Sequence, residues 1–223
     1  MRRVISIIFV IIGLLLMLIP FAGNLYNDWQ QKKMMEAFEE EIALSFQQTN
    51  DELSKLTAHS EEAVEEKDFE ISDVDTNTNQ IIDLGTVIGI LSIEKLKINL
   101  PIMEGTSEKQ LSRGIGHMPA TAIPGEKDGN SGLAGHRGHT FSVFFSRLNE
   151  MKRGDHIYIR MKDKMLKYEV YEQRIIEPDD FSVLNPKTGQ SLITLITCHP
   201  LNSDRYRLIV HAKLVEENRI GEE

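Results

Sequence analysis

The sequence predicts an all-β domain, a sandwich or a barrel with short helices, standing behind an apolar N-terminal run and an acidic spacer. Three observations carry that prediction. From Ile81 onward, seven or eight short runs of β-branched and aliphatic residues alternate with clusters of turn residues. Residues 24–80 hold 15 Asp and Glu against 4 Lys and Arg, whereas residues 81–223 balance at 19 of each sign. Ahead of both, Val4 to Ala22 is an uncharged apolar stretch of 19 residues.

The chain has 223 residues, 41% of them hydrophobic, enough for one core of ordinary size plus accessories. Its net charge of −9 gives no reason to expect a nucleic-acid partner. The single cysteine excludes an intramolecular disulfide and any zinc site that needs two thiolates.

The apolar run, as a helix, is about 28 Å long, close to the hydrocarbon thickness of a bilayer. It exceeds the usual core of a signal peptide, and no small-x-small cleavage site follows Pro20-Phe-Ala-Gly23, so an uncleaved anchor is expected. Arg2 and Arg3 before the run favour a cytoplasmic N-terminus and an external remainder, with Tyr26 and Trp29 as interfacial anchors. Residues 1–23 are therefore read as tip and transmembrane anchor, 24–80 as an extracellular stalk, and 81–223 as the folded domain. Met35, Phe38, Ile42 and Phe46 recur at helical spacing, so the stalk begins as an amphipathic helix. From Glu61 to Gln80 it turns to Glu, Asp, Asn and Thr, the composition of a solvated spacer with no binding role.

Within the domain, Thr86–Ile93 and Ile98–Met103 read as strands, the second at an edge or bulge because it carries Pro101. Glu108–Arg113 reads as a helical turn, and Gly114 to Asn130 as a loop full of Gly, Pro, Asn and Asp. A strand follows through Ser131–Gly135 into His136, then a short helix over Phe141–Met151. Asp155–Met161 and Met165–Ile176 form a strand pair around Lys162-Asp-Lys164. Ser191–Thr197 and Tyr206–Val215 complete the set. Leu192 to Thr197 is the most strand-like stretch of the chain, and Pro200 stops it soon after.

A lone cysteine is most often a small buried hydrophobe. Here Cys198 stands where an apolar strand ends, His136 stands after another, and Arg207 begins the last. A thiolate is a nucleophile, an imidazolium protonates a leaving amine, and a guanidinium stabilises an oxyanion or holds a peptide backbone. The three residue types suit acyl transfer. His139 and His199 flank the first two, but neighbours on a strand point to opposite faces, so Cys198 and His199 are poor co-ligands and no metal is expected. His117 and His211 are read as structural. Arg205 is the rival for the arginine role, set aside because Arg207 abuts the apolar run.

These segments resemble the sortases. Thr194-Leu-Ile-Thr-Cys198 matches that family's Thr-Leu-x-Thr-Cys signature, Leu133-Ala-Gly-His136-Arg137 resembles its histidine segment, and Arg207 falls where its arginine does. Gly114-x-Gly-His-x-Pro119 and Pro124-Gly-Glu-Lys127 are similar to the stretch before the histidine. The resemblance spans about residues 86–215 and implies an eight-stranded β-barrel cysteine transpeptidase of a Gram-positive cell surface, working without a cofactor. It implies cleavage of an LPxTG-like sorting signal after Thr through a thioester, and transfer of the surface protein to an amine of a peptidoglycan precursor. By the same resemblance Cys198 is nucleophile, His136 general acid and then base, and Arg207 the oxyanion or substrate-positioning group, with Thr197, Ala134 and Ile196 against the substrate. Class D is favoured and class A comes next, from the Gly-x-Gly-His loop and His136-Arg137. Two other readings use the same residues: a cysteine hydrolase with water as acceptor, and a non-catalytic anchored domain that binds peptides.

Overall fold

The computed structural model describes residues 12–13, 25–26, 28–44, 47, 86–138 and 144–220. Eight strands close into one barrel: β1 (Val87–Ile93), β2 (Ile98–Glu104), β3 (Ile115–His117), β4 (Gly129–Ala134), β5 (His156–Arg160), β6 (Lys164–Ile176), β7 (Ser191–His199) and β8 (Tyr206–Arg219). Around the ring they run β1-β2-β3-β4-β7-β8-β6-β5. β2–β3 and β4–β7 pair in parallel and the other ladders are antiparallel. Closure leaves no unpaired edge, and period-two alternation sends one face of each strand inward. On β7, Ile193 and Leu195 enter the core; on β8, Leu208, Val210 and Ala212 do. The all-β barrel with few helices is thus as expected.

Two details differ from the sequence reading. Gly114 to Asn130 is not all loop, since it contains β3 and the start of β4. β3 is only three residues long, and Gly116 hides its strand character: a Cβ there would stand 2.5 Å from the Gly105 carbonyl oxygen, so no β-former fits. The helix expected over Phe141–Met151 is absent among the described residues, which show turns and one 3₁₀ turn, Leu148–Glu150. Its apolar anchors Phe145, Leu148 and Met151 recur every third residue, the 3₁₀ period, and all are buried. Pro101, read at an edge or bulge, stands at a local edge inside the closed ring. β3 joins β2 only from Ile102 on, so Pro101 sits where β2 carries one ladder instead of two.

Helix α1 (residues 28–44) is the amphipathic start of the stalk, and it lies on the barrel. Phe38 and Ile42 are buried against Ile90 of β1, with Met35 and Val87 packed alongside. Glu39 pairs with Arg160 at 2.9 Å and Glu41 with Lys162. Residues 28–44 thus form the amphipathic helix that the spacing of Met35, Phe38 and Ile42 indicated, while Phe46 lies outside the described residues. β7 is four strands from β1 around the ring of eight, so α1 covers the wall opposite Cys198. Val4 to Ala22 lies outside the described residues apart from residues 12 and 13, and so does the spacer from Glu61 to Gln80. Among the described residues no helix is long and apolar enough to cross a membrane.

Candidate active site

Three neighbouring strands bring the proposed residues to one end of the barrel. β4 and β7 run parallel, with Ala134 beside Ile196. The stitching continues past the end of β4: the Gly135 N–H donates to the Ile196 carbonyl at 3.0 Å, and the Thr197 hydroxyl donates to the Gly135 carbonyl at 2.7 Å. His136 on one segment and Cys198 on the other are each two residues beyond the Ala134–Ile196 pair. On the far side of β7, Cys198 is the antiparallel partner of Arg207 on β8. Gly135 is required where it stands, because a Cβ would meet the Phe145 ring at 2.7 Å. Phe145 in turn donates its N–H to the His136 carbonyl at 3.0 Å.

Alternation decides which side chains share a face. Ile193 and Leu195 point into the core, so Ile196 and Cys198 share the outer face with Arg207 and Ile209. Cys198 is half-buried and its thiol is free. Ala134 and Ile196 are also half-buried on this face, and Ile196 packs beside Ile176, Val183, Leu184 and Ile209. Thr197 differs from the reading that set it against substrate. It is 3% exposed and turned to the opposite face, with its hydroxyl spent on Gly135.

Arg207 donates through Nη1 to the carbonyls of Asp204 and Tyr206, at 2.7 and 3.1 Å. Arg205 precedes β8, is exposed and lies over the Tyr206 ring, so of the two arginines Arg207 is the one in the ladder beside Cys198. His136 is mostly buried, and its Nε2 is 3.4 Å from the carboxylate of Glu108, on the short helix α2 (Glu108–Leu111). That contact is an ion pair when the ring carries its second proton.

Two residues escaped the sequence reading as site residues. Glu108 is one. The other is Arg137, whose buried guanidinium donates to the Cys198 carbonyl, to His199 Nδ1 and to Asn149 Oδ1. Its sequence signals were adjacency to His136 and a place in the histidine segment that resembles the family's, neither of which gave it a role of its own. His199 therefore spends Nδ1 on Arg137. His117 is structural, between Glu104, Thr121 and the Ala122 carbonyl. Among the described residues no cluster of His, Cys, Asp or Glu can hold a metal ion.

His211 is structural too, and it supports the outer face next to the site. Its Nδ1 lies 3.0 Å from the Thr194 hydroxyl, which donates to Asn130 at 2.8 Å. Asn130 holds the carbonyls of Val183 and Asn185, and so pins the 3₁₀ turn Phe181–Leu184 over the sheet. Burial pushes the His211 ring down to about 4, with Glu172 opposing and Lys187 and Arg174 assisting. The unfolded chain protonates near 6.5, so between these values the unfolded state holds the extra proton. This contribution to stability is complete above about pH 6.5, is lost as the pH falls through about 4, and is worth at most about 3 kcal/mol. Melting temperature should fall across that window, and His211→Phe, which keeps the stacking on Tyr171, should flatten the fall. Equal slopes in both proteins would refute it.

The comparisons with known proteins agree with one another. The family model described as the Sortase domain matches residues 91–215, more than half of the chain. The chain is similar to Sortase SrtE1 of Streptomyces coelicolor, 40% identical over 147 residues that cover 60% of this chain and 42% of that protein. With Sortase D of Bacillus subtilis it shares 31% over 136 residues, covering 60% and 66%. With Sortase A of Listeria monocytogenes it shares 27% over 228 residues, covering 100% and 96%. The chain thus spans under half the length of the Streptomyces relative and about two thirds of the Bacillus one. Among solved structures, Sortase A from Corynebacterium diphtheriae superposes with a TM-score of 0.58 at 35% identity, over 59% of this chain and 62% of that one. Sortase C-1 from Actinomyces oris does so with 0.58 at 33%, over 65% and 85%.

Proposed function

Since the chain belongs to the sortase family, we propose that it is a cysteine transpeptidase that cuts an LPxTG-like sorting signal after Thr and passes the acyl group to a cell-wall amine. The observation that carries the proposal is the β4–β7–β8 arrangement, in which Cys198 has Arg207 as its ladder partner and the Gly135–His136 segment stitched to its other side.

The chemistry follows from those groups. The Cys198 thiolate attacks the threonine carbonyl, and Arg207 is the group to stabilise the oxyanion or hold the peptide there. The C–N bond breaks as His136 gives its proton to the leaving amine, which leaves a thioester. An incoming amine loses a proton to His136, attacks the thioester, and expels the thiolate. Ala134 and Ile196 supply an apolar outer face beside Cys198 for the extended signal. Thr197 acts from the other face, by holding Gly135 and with it His136. Class D, then class A, stays the order of preference, on the Gly114-x-Gly-His117 loop and His136-Arg137; a Sortase D and several Sortase A proteins stand among the relatives. The partners are sorting-signal surface proteins and a peptidoglycan-precursor amine. The apolar run Val4 to Ala22, preceded by Arg2 and Arg3, supports an uncleaved single-pass anchor with residues 24–223 outside.

One experiment tests chemistry and topology together. A membrane-impermeant signal peptide is given to intact cells and to detergent-extracted protein, with and without an oligoglycine amine. Mass spectrometry is expected to find a thioester on Cys198, ligated product with the amine, and cleavage by intact cells. Cleavage only after lysis overturns the external placement. Hydrolysis that an amine does not divert favours the hydrolase reading, and a chain that never acylates is a binding domain.

A further inference from the structure

We propose that Arg137 is a positioning residue for this reaction: its buried guanidinium fixes the strand end that carries Cys198 and holds a permanent positive charge beside the nucleophile. The role rests on the transpeptidase reading above.

Arg137 is 6% exposed. Nη1 donates to the Cys198 carbonyl at 3.1 Å and to His199 Nδ1 at 2.9 Å. Nη2 donates to Asn149 Oδ1 at 2.9 Å, and Nε reaches the Ser146 carbonyl at 3.4 Å. One planar fork therefore ties together three segments: the turn after His136, the end of β7, and the connection 144–150. Because Arg137 follows His136 in the chain, the fork fixes the general acid and the nucleophile relative to each other. A lysine ammonium cannot reproduce bonds in several fixed directions.

The charge is the second part of the inference. None of these four partners is a carboxylate. A cation taken out of water against hydrogen-bond acceptors alone is costly, so a side chain that keeps its charge there is one the site uses. Burial holds the guanidinium below its ordinary value, and the negative charge of Cys198 opposes that shift. The bond to the Cys198 carbonyl sets this charge at the residue that must become negative to attack, which is what the proposal requires of it. Titratable groups placed near Cys198 by the ladders and the chain include Arg207 across β8, Tyr206 opposite His199, His199 next in the chain, and the His136 segment with Glu108 behind it.

The test uses the full chain in detergent. Cys198 is the only thiol, so iodoacetamide alkylation against pH reads its thiolate directly, and peptide turnover is measured alongside. Arg137→Ala is expected to lower kcat about tenfold or more with KM within about twofold, and to raise the alkylation midpoint by about half a pH unit or more. Arg137→Lys should restore the midpoint but not kcat, a split that a purely structural role does not produce. An unshifted midpoint in Arg137→Ala, or wild-type kcat in Arg137→Lys, overturns the proposal. If Arg137→Ala fails to fold by circular dichroism, Arg137→Lys decides, with Asn149→Ala alongside, since both keep the charge and loosen the fork. Lowered kcat at unchanged KM in Arg137→Lys supports the role, and wild-type kcat in that variant overturns it whatever Asn149→Ala does. Should the wild-type chain form no thioester, the function assigned above fails, and the alkylation midpoints alone still decide for or against Arg137.

Discussion

A Cys198→Ala chain is expected to release no product from a sorting-signal peptide, and His136→Ala to lose about 10³-fold or more in kcat. The first loss is total because the chain has one thiol and no other residue at this end of the barrel forms a thioester. The second is large because nucleophile and acid–base group act as a unit, so removing either member removes most of what the unit does. The barrel should be little disturbed by either change. Cys198 is half-buried on the outer face, and the Gly135–Ile196 and Thr197–Gly135 bonds do not involve the His136 ring. Melting temperatures within a few degrees of wild type, alongside lost turnover in a quenched single-turnover assay, are the expected result. A Cys198→Ala protein that still cleaves would overturn the enzyme reading.

Arg207→Lys is expected to fall about 10²-fold in kcat/KM although it keeps the charge, whereas Arg205→Ala keeps most activity. An oxyanion donor is worth roughly 10² to 10³ when it is removed, and lysine offers a flexible point charge where a planar fork is needed. Arg207 is the β8 residue paired with Cys198, and its Nη1 is already steadied by the Asp204 and Tyr206 carbonyls. Arg205 stands ahead of the strand with its guanidinium over the Tyr206 ring, where its loss exposes little. The order of the two variants under one peptide concentration series is the measurement. An Arg205→Ala chain more damaged than Arg207→Lys would move the role to Arg205 and leave Cys198 and His136 where they are.

Much of this molecule is local in origin. Strand identity followed from β-branched runs such as Leu192 to Thr197, because side-chain alternation and backbone preference act over a few neighbouring residues. The amphipathic face of α1 followed from Met35, Phe38 and Ile42 in the same way. The residue types Cys198, His136 and Arg207, each beside a strand terminus, carried the chemistry as a composition of strand ends, and a family resemblance supplied their order and roles. What spacing alone does not contain is register between distant strands. Only the barrel pairs Cys198 with Arg207 and leaves Arg205 outside the ladder, because hydrogen-bond register is set by closure of the whole ring. Alternation along β7 already sets Thr197 opposite Ile196 and Cys198, but only the barrel buries that side and clamps the Thr197 hydroxyl on the Gly135 carbonyl. Burial of Arg137 among Cys198, His199 and Asn149, and of Phe38 against Ile90, likewise joins residues far apart in sequence, whose contact is decided by packing and by the cost of leaving a charge or an apolar ring without a partner.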